Sequence, residues 1–107
     1  MVEQNAHLDI VFKSLADATR RDILKRVSKE PLSIGALAKP YKMSFAAIAK
    51  HVSVLEAAKL ITKRRAGKQQ IISVVPTTIE AAVTHLEQYE RLWEARFDAL
   101  EKLLREE

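Results

Sequence analysis

The chain is predicted to be mostly α-helical, with one small β-hairpin set between a helix pair and a long final helix. Three observations carry this. Apolar residues recur at helical spacing along most of the sequence. Between residues 61 and 75 that spacing gives way to strand-like segments around a single glycine, Gly67. Pro31, Pro40 and Pro76 stand where one element must stop before the next begins.

Leu8, Val11, Phe12 and Leu15 fall at i, i+3, i+4 and i+7, the stripe of a first amphipathic helix over about residues 6–16. Asp17 is placed to cap a second helix carrying Ile23, Leu24 and Val27, which Pro31 closes. Ser33 can cap a short third helix, Ile34–Ala38. Pro40 ends it, because proline lacks an amide donor and clashes with the preceding turn. Ser44 can cap a fourth helix running to about Ala58. On that helix Ile48, Val52, Leu55 and the stem of Lys59 share one face, and Ala46, Lys50, Ser53 and Ala57 lie opposite. The outward face is small and polar around one cation, which lets a helix approach a groove closely.

Residues 61–65 and 69–75 then read as two strands joined through Ala66-Gly67-Lys68, with Gly67 supplying the positive φ of a tight hairpin. Thr77 or Thr78 is expected to cap the last helix, over about residues 78–106. Its Ile79, Val83, Leu86, Tyr89, Trp93, Phe97, Leu100 and Leu104 recur at three- and four-residue steps. A short helix, a turn, a longer helix and a basic hairpin outline a winged helix-turn-helix, with about five helices and a two-stranded wing.

The 107 residues give room for one domain, residues 1–107. A final helix of this length would span about 42 Å, against a radius of gyration of about 13 Å for a domain of this size. The surplus apolar stripe, Trp93 and Phe97 included, is expected to meet a second copy of the chain. The same aromatics with Tyr89 could line a ligand pocket, but stripes at helical spacing usually belong to a core or an interface.

The absence of cysteine excludes a disulfide framework and a thiolate metal site. Two glycines are too few for a phosphate-cradling loop or a dinucleotide fingerprint, and the carboxylates of the last helix have no nucleophile beside them. Neither an enzyme nor a cofactor is expected. The polar start and the lack of a long apolar run suggest neither a signal peptide nor a membrane span, and so a cytoplasmic protein. Net charge is +4, unevenly spread: residues 1–79 hold 14 Lys/Arg against 6 Asp/Glu, and residues 80–107 hold 4 against 8. Residues 39–68 hold 8 basic residues and one acid, Glu56. That segregation suggests a body facing a polyanion and a tail with another task.

Three segments resemble the ArsR-type (ArsR/SmtB) family of bacterial transcriptional repressors. Residues 14–24, SLADATRRDIL, are similar to the family's opening L-x-D-x-T-R-x-x-I-L. Residues 43–61, MSFAAIAKHVSVLEAAKLI, are similar to its recognition helix, and residues 89–104, YERLWEARFDALEKLL, to the tail of a metal-independent subset. The resemblance implies a homodimer clasped through its first and last helices, with recognition helices in successive major grooves. This chain departs from the family at Lys59, where glycine is usual, and at Ala49, where serine is usual. The segment that bears metal-ligating cysteines in the family corresponds to residues 32–37, which contain no ligand, and His85 is the only histidine of the last helix. Metal sensing is not expected, and His7 and His85 read as surface residues.

The candidate DNA-binding residues are Ser44, Phe45, Ala46, Ala47, Lys50, His51 and Ser53 on the fourth helix, with Arg64, Arg65 and Lys68 at the wing. Lys50 can reach a phosphate or a guanine edge. Ser44 serves as a cap, a DNA contact or both. Phe45 either touches a thymine methyl or folds back onto Tyr41 and Met43, the second being preferred. His51 is either a DNA contact, as the resemblance implies, or a half-buried histidine bonded to backbone. Arg20 and Arg21 are weaker candidates, one of which can bond carboxylates structurally. The candidate dimer residues are Leu8, Val11 and Phe12 of the first helix and Leu86, Tyr89, Trp93, Phe97 and Leu100 of the last.

The expected function is therefore that of a sequence-specific transcriptional regulator, a homodimeric repressor on a pseudo-palindromic operator. Its partners are double-stranded DNA and a second copy, with an unidentified effector left open and no membrane. The alternative on the same fold is a protein-interaction module without specific DNA binding, which would not need so cationic a stretch.

Overall fold

A computed structural model describes the backbone of residues 2–106 and the side chains of residues 6–105. The elements run α1 (Val2–Ser14), α2 (Ala18–Lys29), β1 (Leu32–Ser33), α3 (Ile34–Ala38), α4 (Phe45–Ala57), β2 (Ile61–Ala66), β3 (Gln69–Val74) and α5 (Pro76–Glu106). The five helices and the hairpin are as the sequence predicts, with shifted ends. The first helix stops at Ser14. The last begins at Pro76, where a missing N–H costs nothing because the first amides of a helix have no internal partner. Thr77 and Thr78 consequently lie inside the helix rather than capping it.

Three side-chain caps start the central helices. The Arg20 amide donates to Asp17 Oδ2 at 3.0 Å, the Ala36 amide to Ser33 Oγ at 3.1 Å and the Ala47 amide to Ser44 Oγ at 3.1 Å. Each satisfies an orphan donor and contributes about 1 kcal/mol relative to alanine.

The end of α4 is a Schellman motif. The Lys59 amide donates to Glu56 O at 2.9 Å and the Leu60 amide to Leu55 O at 3.1 Å. The motif needs a left-handed residue, and Lys59 supplies it at φ 62°. A lysine thus adopts the conformation that glycine takes without penalty. Its side chain is exposed, so its stem does not share the buried face of Ile48, Val52 and Leu55 as expected.

The two-stranded wing, β2 and β3, belongs to a larger sheet. Residues 32–33 add a third strand, antiparallel to β3, with Leu32 opposite Ile72 and Ser33 opposite Ile71, in the order β1-β3-β2. This short strand fastens the start of the helix-turn-helix to the hairpin. In the hairpin Ile61 faces Val74 and Ala66 faces Gln69, leaving Gly67-Lys68 as a two-residue loop. Gly67 takes φ 63° at the first loop position, as a type II′ turn requires.

Val11, Ile23, Leu37, Ile48, Leu55 and Ile72 meet in one core, each fully buried. Val11 therefore has no surface to offer a second copy, contrary to expectation; Leu8 and Phe12 stay half-buried. Among the described residues, helix α5 joins the core through Ile79 and Ala82. Beyond Ala82 its apolar stripe is bare: Leu86 and Tyr89 are 51% exposed, Trp93 53% and Phe97 61%, with Leu92 and Leu103 widening it. The 31-residue helix stretches the protomer to 67 × 33 × 21 Å, with a radius of gyration of 18.4 Å.

Candidate nucleic-acid interface

Helix α4 presents the face the sequence assigns to it. Ile48, Val52 and Leu55 are buried, while Ala46, Lys50, Ser53 and Ala57 are exposed. Ser44 Oγ is held as an acceptor by the Ala47 amide, which fixes the first turn. Helix geometry leaves the Phe45 and Ala46 amides pointing out of that turn without an intrahelical partner. Phe45 is 59% exposed and does not fold back into the protein, contrary to the preferred expectation.

The wing carries Arg64, Arg65 and Lys68 exposed around Gly67. Arg65 Nε donates to Gly67 O at 3.2 Å, holding its guanidinium near the tip. Lys63 behaves differently: its Nζ lies 3.3 Å from Glu56 Oε1. The one acid of the basic stretch is thus used to fasten the wing to α4. Among the described residues, Lys50, Arg64, Arg65 and Lys68 form no ion pair.

His51 is half-buried and bonded to side chains rather than to backbone. Its Nδ1 lies 3.4 Å from Arg20 Nη1 and 3.9 Å from Asp17 Oδ2. Arg20 also donates Nε to Ser14 O at 2.6 Å and Nη2 to Lys13 O at 3.4 Å, and Arg21 Nη1 donates to Leu15 O at 2.7 Å. Both arginines therefore close the end of α1. The Arg20 amide, aided by the charges of His51 and Arg20, holds the Asp17 carboxyl below the usual carboxylate range despite some desolvation.

A second support lies outside the sequence motifs. Arg26 of α2 donates Nη1 to Leu37 O at 2.8 Å and Nη2 to Ala36 O at 3.2 Å, satisfying the last carbonyls of α3. Its guanidinium stacks 5.4 Å from the Tyr41 ring, and the Tyr41 hydroxyl donates to Asp22 Oδ2 at 2.5 Å. Burial, then the Asp22 acceptor, pushes the Tyr41 hydroxyl pKa up. Asp22, Arg26 and Tyr41 together brace the turn between α3 and α4, so the helix pair that would meet DNA is set from α2.

Among the described residues no group of three or more His, Asp or Glu side chains could hold a metal ion, and no helix is long and apolar enough to cross a membrane. A shallow groove between α1 and α5 is lined by Leu8, Asp9, Phe12, His85 and Tyr89. The aromatic set is therefore split: Tyr89 lines this groove, whereas Trp93 and Phe97 lie further along the bare stripe.

A helix-turn-helix domain model matches residues 15–64. The chain is 36% identical over 81 residues to the HTH-type transcriptional regulator Rv2034 of Mycobacterium tuberculosis, covering 76% of each chain. It is 29% identical over 73 residues to the transcriptional repressor SdpR of Bacillus subtilis, covering 68% of this chain and 81% of that one. The crystal structure of the ArsR family transcriptional regulator RHA00566 superposes with a TM-score of 0.77 at 31% identity, over 84% of this chain and 93% of that one. The chain belongs to the ArsR family of winged helix-turn-helix proteins, DNA-binding transcriptional regulators rather than enzymes.

Proposed function

We propose that the chain acts in the cytoplasm as a homodimeric repressor that reads a pseudo-palindromic operator without a metal or cofactor. The observation that carries this is the outward face of α4, small residues around the unpaired cation Lys50, followed at once by a cationic wing. Such a face can enter a major groove, where the first turn, Ser44, Phe45, Ala46 and Ala47, meets base edges. Lys50 and Ser53 follow along the groove, and Arg64, Arg65 and Lys68 take flanking phosphates or the adjacent minor groove. His51, engaged by Arg20, orients α4 more than it contacts DNA.

The second copy is drawn in by the bare stripe of α5, which no segment of the protomer covers among the described residues. Exposed apolar surface on this scale marks an association site. Leu8 and Phe12 of α1 continue the stripe formed by Leu86, Tyr89, Trp93, Phe97 and Leu100. Two reading heads joined in this way suit half-sites spaced by about 10 bp or a multiple. Repression follows by excluding polymerase, and an effector that alters the α1–α5 contact would release the DNA.

The test is titration of duplex DNA at several salt concentrations, with sedimentation of the free and bound protein. The reading expects a dimer and a log–log slope of about −0.9 for each phosphate contacted. A salt-independent response would favour the protein-interaction module instead, and a monomer on DNA would remove the paired-head geometry.

A further inference from the structure

Large apolar side chains left exposed among the described residues fall into two groups. One runs along α1 and α5 and is accounted for by a second copy. The other is Met43 and Phe45, which flank the Ser44 cap within the most cationic stretch of the chain.

Phe45 is the outlier. It is the first residue of α4 and 59% exposed, more than Met43 at 41%. Ser44, Ala46 and Ala47 around it are too small to cover a phenyl ring. The ring forms one wall of a shallow cleft of 270 Å³, opposite Ser33, Ile34 and Gly35 at the start of α3 and Lys68, Gln69 and Gln70 of the wing. Gly35 leaves its side of that cleft open, with only Ser33 Oγ near the position of an added Cβ, at 3.9 Å.

A protein partner drawn to this surface would have to accept a single aromatic ring facing Lys68 within a strongly cationic stretch of the chain. A major groove offers a better match: phosphates for the cations and one apolar feature, the 5-methyl group of thymine. The geometry points to Phe45 as a specificity-determining residue that packs its ring on a thymine methyl in each half-site. The inference rests on the proposed DNA reading and adds the chemistry of one base to it. Gln69, Gln70 and Lys68 line the far wall with donors for the neighbouring backbone or base edges.

The experiment uses the full-length protein and an operator selected from random duplexes. Each symmetry-related pair of thymines is replaced in turn by 2′-deoxyuridine, which removes the methyls and keeps every hydrogen-bonding group. Burial of one methyl group is worth about fourfold in affinity, so losing the pair across two half-sites should weaken binding about fifteenfold. Phe45→Ala should bind the thymine operator more weakly and be indifferent to the same replacement. Phe45→Leu should keep part of the preference, and circular dichroism should show both variants folded, since the ring is exposed.

An operator bound alike with and without its methyl groups would overturn the assignment while leaving the DNA reading intact. A thymine preference that survives in Phe45→Ala would overturn it as well, by assigning the methyl to another residue. Failure to select any duplex would overturn the DNA reading and this inference together.

Discussion

Arg20 Nη1 stands 3.4 Å from His51 Nδ1, and through this contact the end of α1 is tied to the middle of α4. The same guanidinium holds Ser14 O at 2.6 Å, so one side chain spans the helix proposed to carry the partner and the helix proposed to enter the groove. The end of α1 and the middle of α4 therefore share one guanidinium, beside the direct packing of α1 against α4.

Arg20→Ala should expose how much that tie is worth. The substitution strands two terminal carbonyls of α1 and removes the side chain that touches His51 Nδ1. Hydrogen bonds to a charged donor contribute about 1.5–3 kcal/mol each when partly buried. Thermal unfolding should fall by roughly 5–15 °C for a chain of this size. Arg20→Lys should not restore it, because one ammonium cannot serve three acceptors in a planar fork. A variant as stable as the parent would show that the contacts carry no net stability.

Lys59 gives a prediction of the opposite sign. A side chain at φ 62° costs about 1–2 kcal/mol. Glycine relieves that strain but adds about 0.4–1 kcal/mol of unfolded-state entropy to be lost. The balance favours Lys59→Gly by about 0.5–1 kcal/mol, a rise of roughly 2–6 °C in melting temperature. Lys59→Asn, which tolerates the left-handed region, should gain a smaller amount. Melting temperatures unchanged or lowered in both would mean that the turn is not strained.

The residues differ in how plainly the sequence displayed them. Asp17, Ser33 and Ser44 were legible as caps because capping is local: the acceptor lies three residues from its donor. The buried and exposed faces of α4 were legible for the same reason, since a helical period writes them directly. Strand β1 was not, because two residues carry no period and its partner, β3, lies nearly forty residues away. Arg26 and Arg20 were opaque in the same way: a long cation can serve any carbonyl that the fold brings near. Val11 shows the limit of a stripe, which marks an apolar face without saying which partner covers it. Phe45 departs from the packing that nearby Tyr41 and Met43 suggest, because the fold brings nothing over its ring.

The α5 stripe should yield to a charge. Trp93→Asp or Phe97→Asp puts a carboxylate into the surface proposed to join two copies, where desolvation makes it costly. Both residues are more than half exposed in the protomer, so the fold itself should survive. Sedimentation velocity should show monomers at concentrations where the parent is paired. Operator affinity should fall by about 10²–10⁴, the loss of effective concentration when one head no longer delivers the other. Variants that remain dimeric would place the contact elsewhere on the chain.

Lys50 and Arg65 should separate reading from holding. Lys50 stands on the outward face of α4, where its ammonium can reach a base edge, and Arg65 lies at the wing tip beside Gly67. Lys50→Ala should weaken the selected operator by about 1–3 kcal/mol while changing binding to random duplex far less. Arg65→Ala should weaken both DNAs alike and flatten the log–log salt dependence by about 0.9 for each phosphate contact removed. Measured side by side at two salt concentrations, the variants differ in kind and not only in degree. Equal losses on both DNAs for both substitutions would mean that α4 contributes charge alone, and specificity would then have to come from DNA shape.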